Sequence, residues 1–185
     1  MKFRIHTQES APAASRAALE ATATKYGFLP NIFGVLAESP AAAQAYVGIT
    51  KALEQSVLTP VEQQVVALTV STANSCTYCV GAHSMVAQMV QMPEQILAEL
   101  RDQRALSEVK LNALRGLVLS VLYGGGRVSE QDLEQCAAAG FTQRHVLDAL
   151  TIVALKTLSN AVNHVAHTPL DPQFSQQAWK PESAV

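Results

Sequence analysis

Helix punctuation recurs along the whole 185-residue chain, and it leaves little room for any other fold class. Ser39-Pro40 sets an N-cap before a proline at the first helical position, and a helix follows to about Gln55. Thr59-Pro60-Val61-Glu62 repeats that start and adds a capping box, with Thr at the cap and Glu three residues on. The helix it opens carries Val65, Val66, Leu68, Thr69 and Val70. Asn74 and Ser75 offer cap oxygens for a helix starting at Cys76 and reaching about Val90. Pro93 opens the next, and Ser107 to Tyr123 forms another that Gly124-Gly125-Gly126 ends. Ser129 caps a short helix ending at Gly140, and Thr142 caps a long one that Thr168-Pro169 stops near His167. Upstream, Ala11 to Tyr26 is Ala-rich, with Ser10 as its cap and Gly27 as its stop, and a short segment, Asn31 to Ala37, follows Pro30. Period-2 alternation of any useful length is absent. The expectation is an all-α chain forming one domain over residues 1–185, with a tail at 171–185 that holds a short helix and a frayed end.

Composition narrows the partners. Apolar residues make up 49% of the chain and charged residues only 15%, against roughly 25% in ordinary soluble domains. A surface with so little charge suits burial against further copies, so a homo-oligomer, a trimer or a hexamer, is expected. The net charge is −2, and no basic patch with interleaved aromatics points to nucleic acid. No apolar run is long enough for a membrane span. The first ten residues are polar and charged where a secretory signal would be apolar. Three cysteines, Cys76, Cys79 and Cys136, are too few and odd for a disulfide framework, and the setting expected is cytoplasmic.

The chemistry concentrates in Asn74-Ser-Cys76-Thr-Tyr-Cys79-Val-Gly-Ala-His83. On a helix, Cys79 lies about 60° and His83 about 20° around the axis from Cys76, so all three share one face. The sulfurs are within reach of a disulfide given local adjustment, and His83 sits one turn beyond Cys79, close enough to exchange a proton with it. Free N–H groups and the positive end of the helix dipole favour a thiolate in the first turn. Gly81 and Ala82 keep the neighbourhood small, with room for a substrate or another helix. Two cysteines three apart can also be plain core residues. A structural zinc would need a fourth ligand beside Cys76, Cys79 and His83, and nothing in the sequence marks one. No metal or other cofactor is therefore expected. Asn160, Asn163, His164 and His167 form a stripe at i, i+3, i+4, i+7, which reads first as a solvated or interface face and second as a face packed on the cysteine helix. Cys136 reads as inert core, and His6 and His145 as surface residues.

The stretch from Leu58 through His83, a capped apolar helix, a small polar turn and then C-x-x-C-x-x-x-H, resembles the core signature of the AhpD-like (alkylhydroperoxidase) and carboxymuconolactone decarboxylase superfamily. The resemblance is clear over residues 58–90. Weaker echoes at Gly27-Phe-Leu-Pro-Asn-Ile-Phe and Leu158 to Asp171 suggest its peroxidase-related branch. It implies an AhpD-like helical bundle with the C-x-x-C at a helix N-terminus. It also implies that Cys79 is the thiol nearest a proton relay, Cys76 its disulfide partner and His83 the relay histidine. Peroxide-reducing members carry a glutamate twelve residues before the first cysteine, where this chain has Gln64. A neutral amide orients an imidazole but does not take its proton. Glu62 is the nearest carboxylate, but it is already used in the capping box. Tyr78 stands where such members can have a histidine, and His164 is a further candidate for the relay or for a supporting contact to it.

The function implied is a thiol-dependent peroxidase or disulfide oxidoreductase acting on a hydroperoxide and restored by a dithiol donor, protein or small thiol. Two alternatives stay open from the sequence. One is decarboxylation of a lactone acid, the superfamily's other chemistry, which needs no cysteine pair. The other is a redox sensor or oligomeric scaffold without turnover.

Overall fold

The computed structural model describes residues 1–181, and among them there is helix and turn but no strand. The elements are α1 (Ala13–Tyr26), α2 (Asn31–Leu36), α3 (Pro40–Ala52), α4 (Pro60–Ala73), α5 (Thr77–Met89), α6 (Glu94–Arg101), α7 (Val109–Tyr123), α8 (Glu130–Ala138) and α9 (Gln143–Ala166). Two 3₁₀ turns, Leu53–Gln55 and Pro172–Gln177, follow α3 and α9. The second falls in the expected tail, whose residues 182–185 lie outside the described residues. None of the described helices is long and apolar enough to cross a membrane.

Several starts follow the sequence chemistry. The Ser39 hydroxyl accepts from the Ala42 N–H, and Thr59 and Glu62 form the reciprocal capping box, with Glu62 Oε2 accepting from the Thr59 N–H at 2.7 Å. Gly27 ends α1 at φ +76°, in the left-handed region that glycine enters without a Cβ clash. Two starts differ from expectation. Pro12, not Ser10, precedes α1, and the Ser10 hydroxyl instead accepts from the Thr7 N–H. Asn74 closes α4 rather than opening α5, and Ser75 turns the chain at φ +53°. Cys76 is thereby the N-cap of α5, in extended backbone, and Thr77 is its first helical residue. His6 also departs from the surface reading. It is buried, and its Nε2 meets a Glu38 carboxylate oxygen while Nδ1 meets the Ser10 carbonyl.

Helix α4 is the axis of the fold. Every residue from Val65 to Thr72 is buried, so the helix is covered on all sides, chiefly by α5, α7 and α9. Two of its buried hydroxyls find acceptors within the helix, Ser71 on the Ala67 carbonyl and Thr72 on the Leu68 carbonyl, while the Thr69 hydroxyl has no partner among the described residues. Around it lies one apolar cluster that includes Leu68, Val80, Leu100, Leu114, Val118 and Ile152. Cys136 sits there with its Sγ on the Ala113 carbonyl, as an inert core residue should. A second cluster joins α1, α2 and α3 to the start of α5 through Leu19, Phe33, Leu36, Tyr46, Leu155 and Phe174, and it contains both Cys76 and Cys79. The cysteine pair therefore lies where α5 passes between the two clusters.

The chain after α9 folds back onto α5. Gly81 permits this approach: a Cβ there would meet a Leu170 methyl at 3.0 Å. The room that Gly81 leaves is taken by this returning segment. Tyr78 donates its hydroxyl to Asp171 at 2.5 Å, and Asp171 also accepts from the Asn31 N–H at the start of α2.

Candidate active site

Cys76 and Cys79 are both free thiols and both buried, at 1% and 3% exposure. Three elements converge on them. Helix α5 supplies Cys79 in its first turn, where backbone N–H groups lack helical acceptors. Helix α9 supplies Lys156, Ser159 and Asn163, which follow one face at i, i+3, i+7. Helix α4 supplies Gln64.

The sulfur of Cys79 accepts from the Asn163 amide N–H at 3.2 Å, and the Ser159 hydroxyl lies 3.8 Å away. The hydrogen bond from the Cys76 thiol holds Cys79 well below the usual thiol range; burial opposes this, while the Lys156 charge and the Ser159 and Asn163 bonds assist. The same shared proton, followed by burial, pushes Cys76 upward. The pair thus divides its roles, with the thiolate on Cys79 and the thiol on Cys76.

Lys156 is 2% exposed and no carboxylate pairs with it among the described residues. Burial works against its charge, but the nearby sulfur of Cys79, then Tyr46 and Cys76, outweigh that and raise its pKa. Its ammonium also donates to His83 Nε2 at 2.7 Å. On the other side of the ring, His83 Nδ1–H donates to Gln64 Oε1 at 2.8 Å. Both contacts require a neutral imidazole, in agreement with burial and the Lys156 charge, which hold His83 well below its ordinary value. The polar line therefore runs Cys79, Lys156, His83, Gln64.

Of the residues expected from sequence, Cys76, Cys79, His83 and Gln64 come together. His83 does not bond Cys79 directly, because both ring nitrogens are occupied by Gln64 and Lys156. Glu62 is elsewhere: one oxygen caps α4 and the other meets Lys110 of α7 at 2.7 Å. Tyr78 anchors the returning segment and does not stand in the polar line. The stripe on α9 is divided. Asn163 reaches Cys79 and Asn160 accepts from the Asn74 amide, whereas His164 and His167 are exposed, with His164 Nε2 on the Asn74 carbonyl. The second of the two stripe readings thus applies to Asn163, while Asn160 packs on the end of α4. Sequence reasoning missed Lys156. Extending the stripe back one turn from Asn160 and Asn163 would have put Lys156 and Ser159 on the same face.

A cavity of about 290 Å³ opens onto Cys79, His83 and Lys156. Its walls are chiefly apolar and aromatic, among them Phe28, Phe33, Tyr46, Met85 and Phe174. No group of three or more His, Cys, Asp or Glu among the described residues is arranged to hold a metal ion.

The carboxymuconolactone decarboxylase family model matches residues 40–117, which span α3 to the middle of α7 and include the cysteine pair. A solved alkylhydroperoxidase AhpD core, an uncharacterized peroxidase-related protein from Ralstonia eutropha, is 25% identical with a TM-score of 0.83, covering 94% of this chain and 93% of its own. Over residues 40–117 the chain fits the carboxymuconolactone decarboxylase family pattern, and its fold is that of solved AhpD-like proteins. An uncharacterized peroxidase-related protein from a Silicibacter species shares the AhpD-like fold at 21% identity and a TM-score of 0.72, over 89% of this chain and 88% of that one. The debrominase Bmp8, in complex with 2,3,4-tribromopyrrole, shares it at 13% identity and 0.78, over 96% and 95%. No curated protein matches the chain.

Proposed function

We propose that this protein is a dithiol oxidoreductase that reduces hydroperoxides through Cys79 and Cys76. The observation that supports it most is the buried Lys156, whose charge is balanced by the Cys79 sulfur instead of by a carboxylate. A resident cation there keeps a nucleophile ionised in a mostly apolar cavity.

The steps follow from the protons already in place. The Cys79 thiolate attacks the outer oxygen of the hydroperoxide and the O–O bond breaks, leaving Cys79 as a sulfenic acid. The departing alkoxide takes a proton from Lys156 and leaves as the alcohol. Neutral Lys156, held by His83, then accepts the Cys76 proton. The Cys76 thiolate attacks the Cys79 sulfur, expelling hydroxide, which takes that proton to become water. The product is a Cys76–Cys79 disulfide. A dithiol donor returns two electrons and two protons, one proton to Lys156 and one to Cys76. Gln64 keeps the Nε2 lone pair of His83 facing Lys156 by accepting from Nδ1–H.

One organic hydroperoxide equivalent should remove two titratable thiols per chain, and dithiothreitol should sustain turnover. Retention of all three thiols after peroxide treatment would overturn the reading. The protein is further proposed to act as a homo-oligomer, its contacts drawn from exposed apolar residues such as Val109, Tyr123, Leu147 and Val165. Light scattering should give a multiple of 19.8 kDa at micromolar concentration; the monomer mass would contradict it.

A further inference from the structure

The two cysteines do not share a cavity. Cys79 borders the apolar cavity described above, and Cys76 is absent from its lining. Cys76 instead borders a separate cleft of about 310 Å³, with Thr77, Asn163, His164, His167 and Thr168. Tyr78 and Asn163 touch both spaces and form the wall between them. The two linings differ in chemistry. The cleft at Cys76 has no aliphatic or phenylalanine wall, and two of its lining residues, Asn163 and Thr168, carry a buried side-chain oxygen with no hydrogen-bond partner among the described residues. Asn163 is 94% buried, so its free oxygen is an acceptor kept from bulk water. His164 donates Nε2–H to the Asn74 carbonyl, and its Nδ1 makes no hydrogen bond among the described residues.

We propose that the cleft at Cys76 is the docking site of the reducing thiol, so that oxidant and reductant reach the cysteine pair by opposite approaches. This rests on the dithiol reading above. A thiol entering the cleft gives its proton to His164 Nδ1, and the resulting thiolate attacks the Cys76 sulfur. The S–S bond breaks, and the electron pair leaves on Cys79, where the Asn163 amide donates to it and Lys156 regains its charge as the thiolate forms. Attack at Cys79 would send the pair to Cys76, which couples to Lys156 less strongly than Cys79 does and has no amide donor, and the better-stabilised thiolate leaves faster. The second thiol of the donor loses its proton to solvent, replacing the one from solvent that restored Lys156 to its charged form, and attacks the donor sulfur bound to Cys76. It expels Cys76, which takes the proton held on His164, and the donor departs as its own disulfide. At 1% exposure, Cys76 at the foot of a narrow cleft fits a slender, unbranched dithiol better than a cysteine on a folded surface.

The experiment starts from the Cys76–Cys79 disulfide made with diamide, so it does not depend on any peroxide activity. Brief exposure to 2-mercaptoethanol, an acid quench and peptide mass mapping should find the adduct on Cys76. An adduct on Cys79 would overturn the proposal. Two space-filling variants sharpen it. Thr77→Trp, at an exposed first helical position, narrows the cleft, and Met85→Trp fills the other cavity. The rate of disulfide reduction by dithiothreitol, divided by the rate of dithiol oxidation by cumene hydroperoxide, should fall at least about tenfold in the first and rise in the second. A ratio that moves the same way in both would also overturn it. Absence of oxidation by hydroperoxide in the parent would count against the proposed activity alone, since the mapping of the adduct would still decide the approach.

Discussion

Two buried charges in this molecule have opposite surroundings. Glu62, at 3% exposure, is used up structurally: one oxygen caps α4 and the other meets the half-exposed Lys110. Lys156, at 2% exposure, has no carboxylate, and its neighbours are a thiolate and a neutral imidazole, both able to gain or lose protons. A buried charge with a permanent partner contributes to the fold. One balanced by a reactive group marks a place where charge is meant to move, because desolvating an ion without a fixed partner costs several kcal/mol that folding alone would not retain.

The sharpest way to break this contrast is Lys156→Met. Removing the cation should lower peroxide turnover by about 10²–10⁴-fold, the range of a lost acid–base group, while leaving the fold intact. Absorbance of the thiolate near 240 nm should follow. In the parent it persists as pH falls well below the ordinary thiol value and is lost only at the depressed Cys79 value; in the variant it should fade at a higher pH than in the parent, with the Cys76 hydrogen bond still holding it down. The linked stability has the same sign. Thiolate stabilisation is complete above the unfolded thiol value and disappears as pH falls through the folded one. An unmoved titration would separate Lys156 from the thiolate.

Gln64→Glu should act in the other direction and less strongly. A carboxylate accepting from His83 Nδ1–H favours the charged ring, so the His83 resonances in a pH-dependent NMR spectrum should titrate at higher pH than in the parent. Turnover should rise by about a few-fold, well short of the roughly 10²–10⁴-fold of a base acting directly on substrate, since residue 64 acts only through His83. No change in either measurement would remove residue 64 from the relay.

Glu62→Gln should have the smallest effect on chemistry. Lost capping and the lost Lys110 contact should destabilise the fold by about 1–2 kcal/mol, seen as a lower denaturant midpoint, with the rate per folded molecule unchanged. A rate loss larger than the folded fraction explains would make Glu62 part of the site after all.

The sequence was most informative where the determinants are local. The cap at Thr59 and Glu62, the C-x-x-C-x-x-x-H spacing and the position of Gln64 all lie within 25 residues, and periodicity sets their mutual placement. Lys156 is 73 residues from His83. A lone lysine on a long helix ordinarily faces water, and only the packing of α9 across α4 and α5 makes this one a buried partner. The same limit explains His6, whose burial depends on Glu38 and on the close approach of α2 to the N-terminal segment. Of the two misread caps, that of α5 arose because Asn74, Ser75 and Cys76 compete for one role, and the left-handed turn at Ser75 decides it.

The segment that returns over α5 also sets what light can report about this molecule. The single tryptophan, Trp179, lies on that segment and donates its ring N–H to the Arg101 carbonyl at 2.9 Å, while Arg101 in turn holds Ser84 of α5 and the Gln177 carbonyl. Its intrinsic fluorescence therefore records the seating of the last turn on the helix that carries Cys79, together with the edge of the α4 cluster against which the indole packs. A spectroscopist who follows emission is watching the fastening of the site and the core beneath it through one ring.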